Sequence, residues 1–288
     1  MYPELEVYLD ARTVVDLSRA ELNRNFPQLA KTLSFSEDQS DLPALLEKIG
    51  ANVEAFFQYF PNTASVEEVR QDVRRSDGRL LNSAGGSYNY LMIISVAQEV
   101  GLNEYRTDRR GNESNPRGPA GGFMLTSKLV WHLVHFHPLY QADSQFRYLG
   151  QTSKPPAHVI AFAQNPRAAR EVAEISIRDP KLSGRRIYIL LQGLVWVDPT
   201  TFQIIRAHTD LLAPRYDVGL ASDTTEIECA AIRFNAVGRS FWLPKEVVVT
   251  AVFRNYTYTN RHRYSDYRLF SVETQDKVHP PIPPKPPE

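Results

Sequence analysis

Three histidines carry the first candidate chemistry. His132, His135 and His137 form an H-x-x-H-x-H cluster at the end of the apolar run Thr126 to Phe136. On a helix, positions i and i+3 share a face, so His132 and His135 could hold one metal ion, with His137 adding a ligand at the helix end. The run contains no H-E-x-x-H, no cysteine stands beside it, and the first carboxylate after it is Asp143, a poor ligand set for a metal centre. Buried or surface histidines are therefore the expectation, and a metal-dependent enzyme built on these three is the rival. His208 and Asp210 are two apart on a strand-like run and point to one side; His262 and Asp266 share a side if their strand is regular. Ser265 lies between the latter pair and faces the other way, and no G-x-S-x-G elbow supplies a nucleophile. Both pairs read as cross-strand hydrogen bonds. Cys229, the single cysteine, sits in the strand-like run Thr224 to Phe234 and reads as a small buried hydrophobe.

The bulk composition narrows the function classes. The chain has 288 residues, enough for one large all-β or α+β domain or two small ones, and 42% of them are hydrophobic. Lysine plus arginine and aspartate plus glutamate both number 33, so the formal net charge is zero and no nucleic-acid partner is implied. The one local basic excess, Arg254, Arg261, Arg263 and Arg268 among tyrosines, reads as the solvated face of a strand. Arg109 to Gly122 holds four glycines and two prolines but fits neither phosphate-binding glycine pattern, so it reads as a loop, and no cofactor is implied. No apolar run approaches the length of a membrane-spanning helix. Met1 to Glu6 lacks the basic and apolar regions of a signal peptide, which leaves a cytoplasmic chain or one whose leader has been removed.

The elements that would position any site follow from periodicity. Leu42, Leu45, Leu46, Ile49, Val53, Phe56, Phe57 and Phe60 recur on one face of a 3.6-residue helix. Asp41 is placed to cap it, Pro43 lies in its first turn, and Pro61 ends it. Gly50 inside it should cost about 1 kcal/mol against alanine. Ile187 to Val197 and Phe202 to Leu211 form a β-hairpin around Asp198-Pro199-Thr200-Thr201, with Pro199 pre-setting the turn. Further strands are expected at Val66 to Arg75, Tyr88 to Ile94, Glu104 to Asp108, Gln145 to Gln151, His158 to Gln164, Thr224 to Phe234, Leu243 to Arg254 and Tyr256 to Val272. Val247-Val248-Val249 is apolar on both faces and should lie inside the sheet. Residues 4 to 32 read as helical, Ser34 to Ser40 as a loop, Thr126 to Phe136 as a second helix, and Pro166 to Glu174 as helical or irregular. Short links between strands favour antiparallel pairing. The fold class is thus α+β: a large curved antiparallel sheet, an unclosed barrel, with helices covering its concave face. The domain plan is a helical extension over 1–40, one domain over 41–273, and a proline-rich extended tail over 274–288.

Aromatic residues supply the remaining candidates. Phe56, Phe57 and Phe60 make one end of the helix face bulky and could wall an apolar cavity. Trp196, Phe202, Trp242 and Phe253, with Ile204, belong to strands; such residues are usually core, but those on a concave face can line a ligand site.

The second half also resembles a group of bacterial secreted proteins related in pattern to the Lol-type outer-membrane lipoprotein carrier and receptor fold. The resemblance rests on Gly193, Trp196, Val197 and Asp198 in a strand-turn, on Ile204-Ile205-Arg206 and Thr224-Thr225-Glu226, on Trp242 and Pro244 before a later strand, and on His262 to Arg268. It implies an unclosed barrel plugged by helices, which holds acyl chains between helices and sheet. It further implies a periplasmic or outer-membrane-associated setting, a lipid or other apolar ligand, an envelope protein as a possible partner, and no enzymatic activity. Phe56, Phe57, Phe60, Trp196, Phe202, Ile204, Trp242 and Phe253 are then the expected ligand-binding set, with Phe57→Asp the expected lesion. A fully packed assembly component without ligand is the alternative.

Overall fold

The computed structural model describes residues 3–59, 62–96, 100–108, 110–112, 129–169, 173–175, 187–235 and 238–269. In chain order its strands are β1 (Leu33–Phe35), β2 (Asn62–Arg75), β3 (Leu80–Val96), β4 (Val100–Thr107), β5 (Ser144–Ser153), β6 (Pro156–Gln164), β7 (Ala173–Ile175), β8 (Ile187–Ile189), β9 (Leu191–Val197), β10 (Ile204–Leu211), β11 (Leu220–Phe234), β12 (Arg239–Phe253) and β13 (Tyr256–Leu269). Among the described residues, an 11-stranded sheet runs in the order β1-β5-β6-β9-β10-β11-β12-β13-β2-β3-β4, and β7 and β8 form a separate pair. Every pairing is antiparallel. The end strands β1 and β4 do not pair with each other, so the sheet is open. The fold is the α+β class that strand spacing and short links predict.

The central hairpin forms for the local reason its residues suggest. The Asp198 carboxylate accepts from the Thr200 and Thr201 amides, at 3.0 and 2.7 Å, and from the Thr201 hydroxyl at 2.9 Å. Phe202 leaves the turn at φ 56, and the chain re-enters β10 through a register shift between Ile204 and Arg206. That shift matters later, because each bulge exchanges the faces to which the following side chains point.

The inner face of the sheet is covered by the helix α3 (Leu42–Tyr59). Leu45, Ile49, Val53 and Phe57 are buried in one core with Ile160, Val195, Val197, Leu243 and Val247 of the strands. Gly50 has a packing reason that offsets its helical cost. A Cβ there would lie 2.7 Å from Gln141 Nε2, which donates to the Leu46 and Phe136 carbonyls, both at 2.9 Å. Glycine therefore lets the 3-10 helix Leu129–Phe136 and its continuation lie against α3. Val247 and Val249 are buried on this face within β12, a strand flanked on both sides. A second apolar cluster, with Leu191, Leu211, Leu220 and Phe253, occupies the other end of the strands. A transverse row of buried side chains, Gln71, Asn260, Val249, Thr225 and Thr209, polar except at Val249, runs between the two clusters on that face.

The N-terminal residues depart from the helical expectation. They form 3-10 turns at Pro3–Tyr8 and Val14–Asp16 and two short helices, α1 (Arg19–Asn25) and α2 (Pro27–Ala30), before β1 joins the sheet edge beside β5. Their patchy apolar residues serve tertiary contact instead of one helical stripe. Val14, Leu22 and Leu29 pack on Leu149, Val159, Leu194 and Trp196 of the outer face. The strand expected at Tyr88 to Ile94 is longer: β3 takes in the Ser83 to Ser87 stretch. Gly85 explains this, since a Cβ there would meet the Val69 carbonyl oxygen at 2.8 Å. No helix among the described residues is long and apolar enough to cross a membrane. The tail over 274–288 and Phe60 lie outside the described residues.

Candidate ligand-binding cleft

The outer face has two halves of different character. Over β6 and β9 it is apolar and roofed by the N-terminal segment. Over β12, β13 and β2 it is charged and solvated, with Arg261 and Arg263 paired to Glu246. Between the halves lies a cleft of about 1020 Å³. Its floor is Gln192 and Trp196 of β9, Arg206, His208 and Asp210 of β10, Glu226 and Glu228 of β11, and Trp242 of β12. Its roof is Val14, Leu17, Phe26, Pro27 and Leu29, and the β5–β6 hairpin closes one side with Lys154 and Pro155. The roof is fixed to the sheet by hydrogen bonds: the Val14 amide donates to Gln192 Oε1 of β9 at 2.6 Å, and Arg147 of β5 donates to the Leu17 carbonyl at 2.6 Å.

Gly193 keeps β9 and β10 close at this floor. A Cβ there would fall 2.0 Å from the His208 carbonyl oxygen, which no side chain could accommodate.

The floor is electrostatically built. His208 Nε2 lies 2.8 Å from Asp210 and its Nδ1 lies 3.7 Å from Glu226, while Thr224 donates to Asp210 at 2.5 Å. His208 and Asp210 thus bond to each other within β10, and the expected cross-strand hydrogen bond to β11 is the one from Thr224 to Asp210. Burial works against the charged imidazole, but the Asp210 and Glu226 bonds and charges prevail and lift its pKa to about 9. Its folded pKa exceeds its unfolded value of 6.5. The stability this group contributes is therefore complete below pH 6.5 and lost as pH rises through about 9. His208→Asn should flatten stability across that window, read as urea midpoints at pH 6 and pH 9.5; equal pH dependence in both proteins would remove the ion pair from the account. The Phe26 and His208 rings meet at right angles with centroids 5.3 Å apart, so the imidazole also touches the roof. Arg206 stacks over Trp196 at 4.5 Å. Among the described residues Glu228 and Lys154 make no ion pair, and they frame the cleft with one charge of each sign.

Cys229 borders the cleft, but burial pushes its thiol up to about 12, so it offers no thiolate nucleophile.

Seven of the eight expected ligand-binding residues are described, and they divide among three places. Trp196 and Trp242 line the cleft. Phe56, Phe57, Phe202 and Ile204 belong to the core beneath α3, and Phe253 to the distal inner cluster. Phe60 is outside the described residues. The three histidines are dispersed in role. His132 Nδ1 lies 3.2 Å from Thr209 Oγ1, His135 stacks on Phe162 at 5.3 Å, and His137 accepts from the Leu139 amide at 3.2 Å. Burial lowers His132 to about 4, and burial with the His132 charge lowers His135 to about 3. Among the described residues, no group of three or more His, Cys, Asp or Glu is placed to hold a metal ion.

His262 does not pair with Asp266. A register shift between Ser265 and Arg268 breaks the alternation, Asp266 is exposed at φ 54, and His262 Nδ1 instead lies 2.8 Å from Glu67 Oε1. Glu67 also accepts from Arg106 Nε and Nη2, at 2.6 and 2.9 Å, and from Tyr264 at 2.9 Å. This buried network joins β2, β4 and β13 on the inner face. Sequence reasoning missed it because its members lie far apart in the chain; the signal was a carboxylate at an inward position of β2.

No family model matches the chain, and no curated protein matches it. Among solved structures, it is similar to a "putative outer membrane lipoprotein-sorting protein domain" from Vibrio parahaemolyticus, at 12% identity and a TM-score of 0.43 over 80% of this chain and 94% of that one. It is also similar to a DUF1329 family protein from Desulfovibrio piger, at 12% identity and a TM-score of 0.38 over 81% of this chain and 95% of that one. Both likenesses are of fold.

Proposed function

We propose that this chain is a non-enzymatic binding protein that takes a lipid-like amphiphile into the outer-face cleft, in the handling of lipids or lipoproteins of a bacterial envelope. The cleft carries the reading. Its volume of about 1020 Å³ is that of a site for a sizeable ligand. Trp196, Trp242, Leu17, Leu29 and Phe26 offer apolar wall along its length, whose burial against an acyl chain is worth about 25 cal/mol per Å². Lys154, Arg206 and Glu228 offer partners for a polar head. The envelope setting rests on the resemblance at Gly193 to Asp198 and Trp242 to Pro244.

The test is uptake of a fluorescent fatty-acid probe, and of lipid from a bacterial extract, by the full chain. Trp242 is half-buried and lies at the cleft wall, so Trp242→Asp should leave the fold intact and weaken probe binding by about tenfold or more, through lost apolar contact and a desolvated charge. A protein that takes up no lipid, or a Trp242→Asp variant that binds as the parent does, would end this reading. The rival, an assembly component without ligand, draws on the close packing beneath α3, where Ile49 and Phe57 are 0% and 1% exposed.

A further inference from the structure

One end of the sheet is built unlike a set of ordinary hairpin tips. The turn between β2 and β3, the turn between β12 and β13, and the connection from β10 to β11 lie side by side there. The Ser76 amide donates to the Asn255 carbonyl at 2.9 Å, and the Arg254 amide donates to the Gly219 carbonyl at 2.7 Å. Tyr256 stands opposite Arg75 in register. Hairpin tips usually carry small polar residues. This row instead exposes Tyr216 at 75%, Leu81 at 47%, Leu80 at 44% and Tyr256 at 37%.

The same row is basic. Arg74, Arg75, Arg79 and Arg254 are all exposed on it. Among its acidic residues, Asp217 is held by Arg215 at 2.8 Å, and Asp77 turns its carboxylate back to the Arg79 amide at 2.9 Å. In a chain of zero formal net charge, four arginines concentrated around exposed tyrosine and leucine make a directional field. The two features together fit one kind of surface. Tyrosine and arginine have apolar bodies and polar tips suited to the boundary between lipid headgroups and acyl chains, and leucine side chains enter just below it. Arginine forks match phosphate oxygens. An acidic protein would satisfy the charges, but it would gain little from four exposed apolar side chains spread over neighbouring strand ends.

We propose that this end of the sheet docks on an anionic bilayer, with the four arginines against headgroup phosphates and Tyr216, Tyr256, Leu80 and Leu81 entering the headgroup–acyl boundary. The inference goes beyond the cleft reading and does not depend on it. It places the protein edge-on to the membrane through turns that contribute nothing to the cleft.

Flotation of the full chain with vesicles tests it, comparing equal parts phosphatidylglycerol and phosphatidylcholine with phosphatidylcholine alone. The protein should float with the anionic vesicles and only weakly with the neutral ones, and the binding should fall as salt rises. Reversing two charges, R75E with R79E, should weaken anionic binding by more than about tenfold, and L80S with L81S should weaken it severalfold at unchanged salt dependence. Both pairs are exposed, so unfolding curves should match the parent, and fatty-acid probe uptake should be unchanged in R75E/R79E. A parent protein that stays with the soluble fraction, or either double variant floating as the parent does, overturns the proposal. Loss of probe uptake by Trp242→Asp alone speaks only to the cleft.

Discussion

Glu67→Gln should destabilise the protein by about 3–5 kcal/mol, seen as a large drop in the urea midpoint at pH 7. Glu67 has no exposed side-chain surface and accepts from three different side chains on two other strands. Burial alone would raise its pKa, but the bonds from His262 and Arg106 outweigh burial and hold it at about 2, below its ordinary 4.5. Its contribution is therefore complete above pH 4.5 and lost as pH falls toward 2, a difference of about 3 kcal/mol across that window. The glutamine variant has no such group to protonate. It should be less stable than the parent at neutral pH, and the gap should narrow as both are taken into acid. Superimposable unfolding curves at pH 7 would show that the network adds nothing to the fold, and a gap that stays constant down to pH 2 would show that the charge of Glu67 does not carry its contribution.

That network also shows where sequence reading stops. The α3 helix was legible because Leu45, Ile49, Val53 and Phe57 recur at a helical period and are buried at that period. The β9–β10 hairpin was legible because Asp198, Pro199 and Thr201 are turn residues whose chemistry is local. Glu67 and His262 meet only through the pairing of β2 with β13, a contact between residues 195 apart. No local pattern announces it. Face assignment fails for a related reason. Alternation places His262 and Asp266 on one side, and Trp196 and Trp242 on no known side, until the bulges are placed. The register shifts at Ile204/Arg206, Glu228/Cys229 and Ser265/Arg268 decide those faces. The cleft was illegible as well, since its roof is a segment whose apolar residues satisfy the outer face of the sheet and fit no single helical stripe.

Phe57→Ala should cost about 3–5 kcal/mol, and it distinguishes the two faces of the sheet. Phe57 is 1% exposed, meets Phe56 edge-on at 5.6 Å and His137 at 5.9 Å, and belongs to the same core as Val195, Val197 and Leu243. Its removal leaves a void that the strands, fixed by pairing on both sides, cannot close. The effect should therefore appear as a lowered unfolding midpoint with fatty-acid probe affinity in the folded protein near that of the parent. Trp242→Asp should do the reverse, lowering affinity with little change in the midpoint. Phe57→Asp, the lesion expected of an inner-face site, becomes a test of folding, because it puts a carboxylate into that core without a partner. If Phe57→Ala keeps the parent's stability and loses the probe, the space beneath α3 holds the ligand and the outer cleft does not. The two substitutions measured side by side thus decide which side of the sheet the ligand occupies.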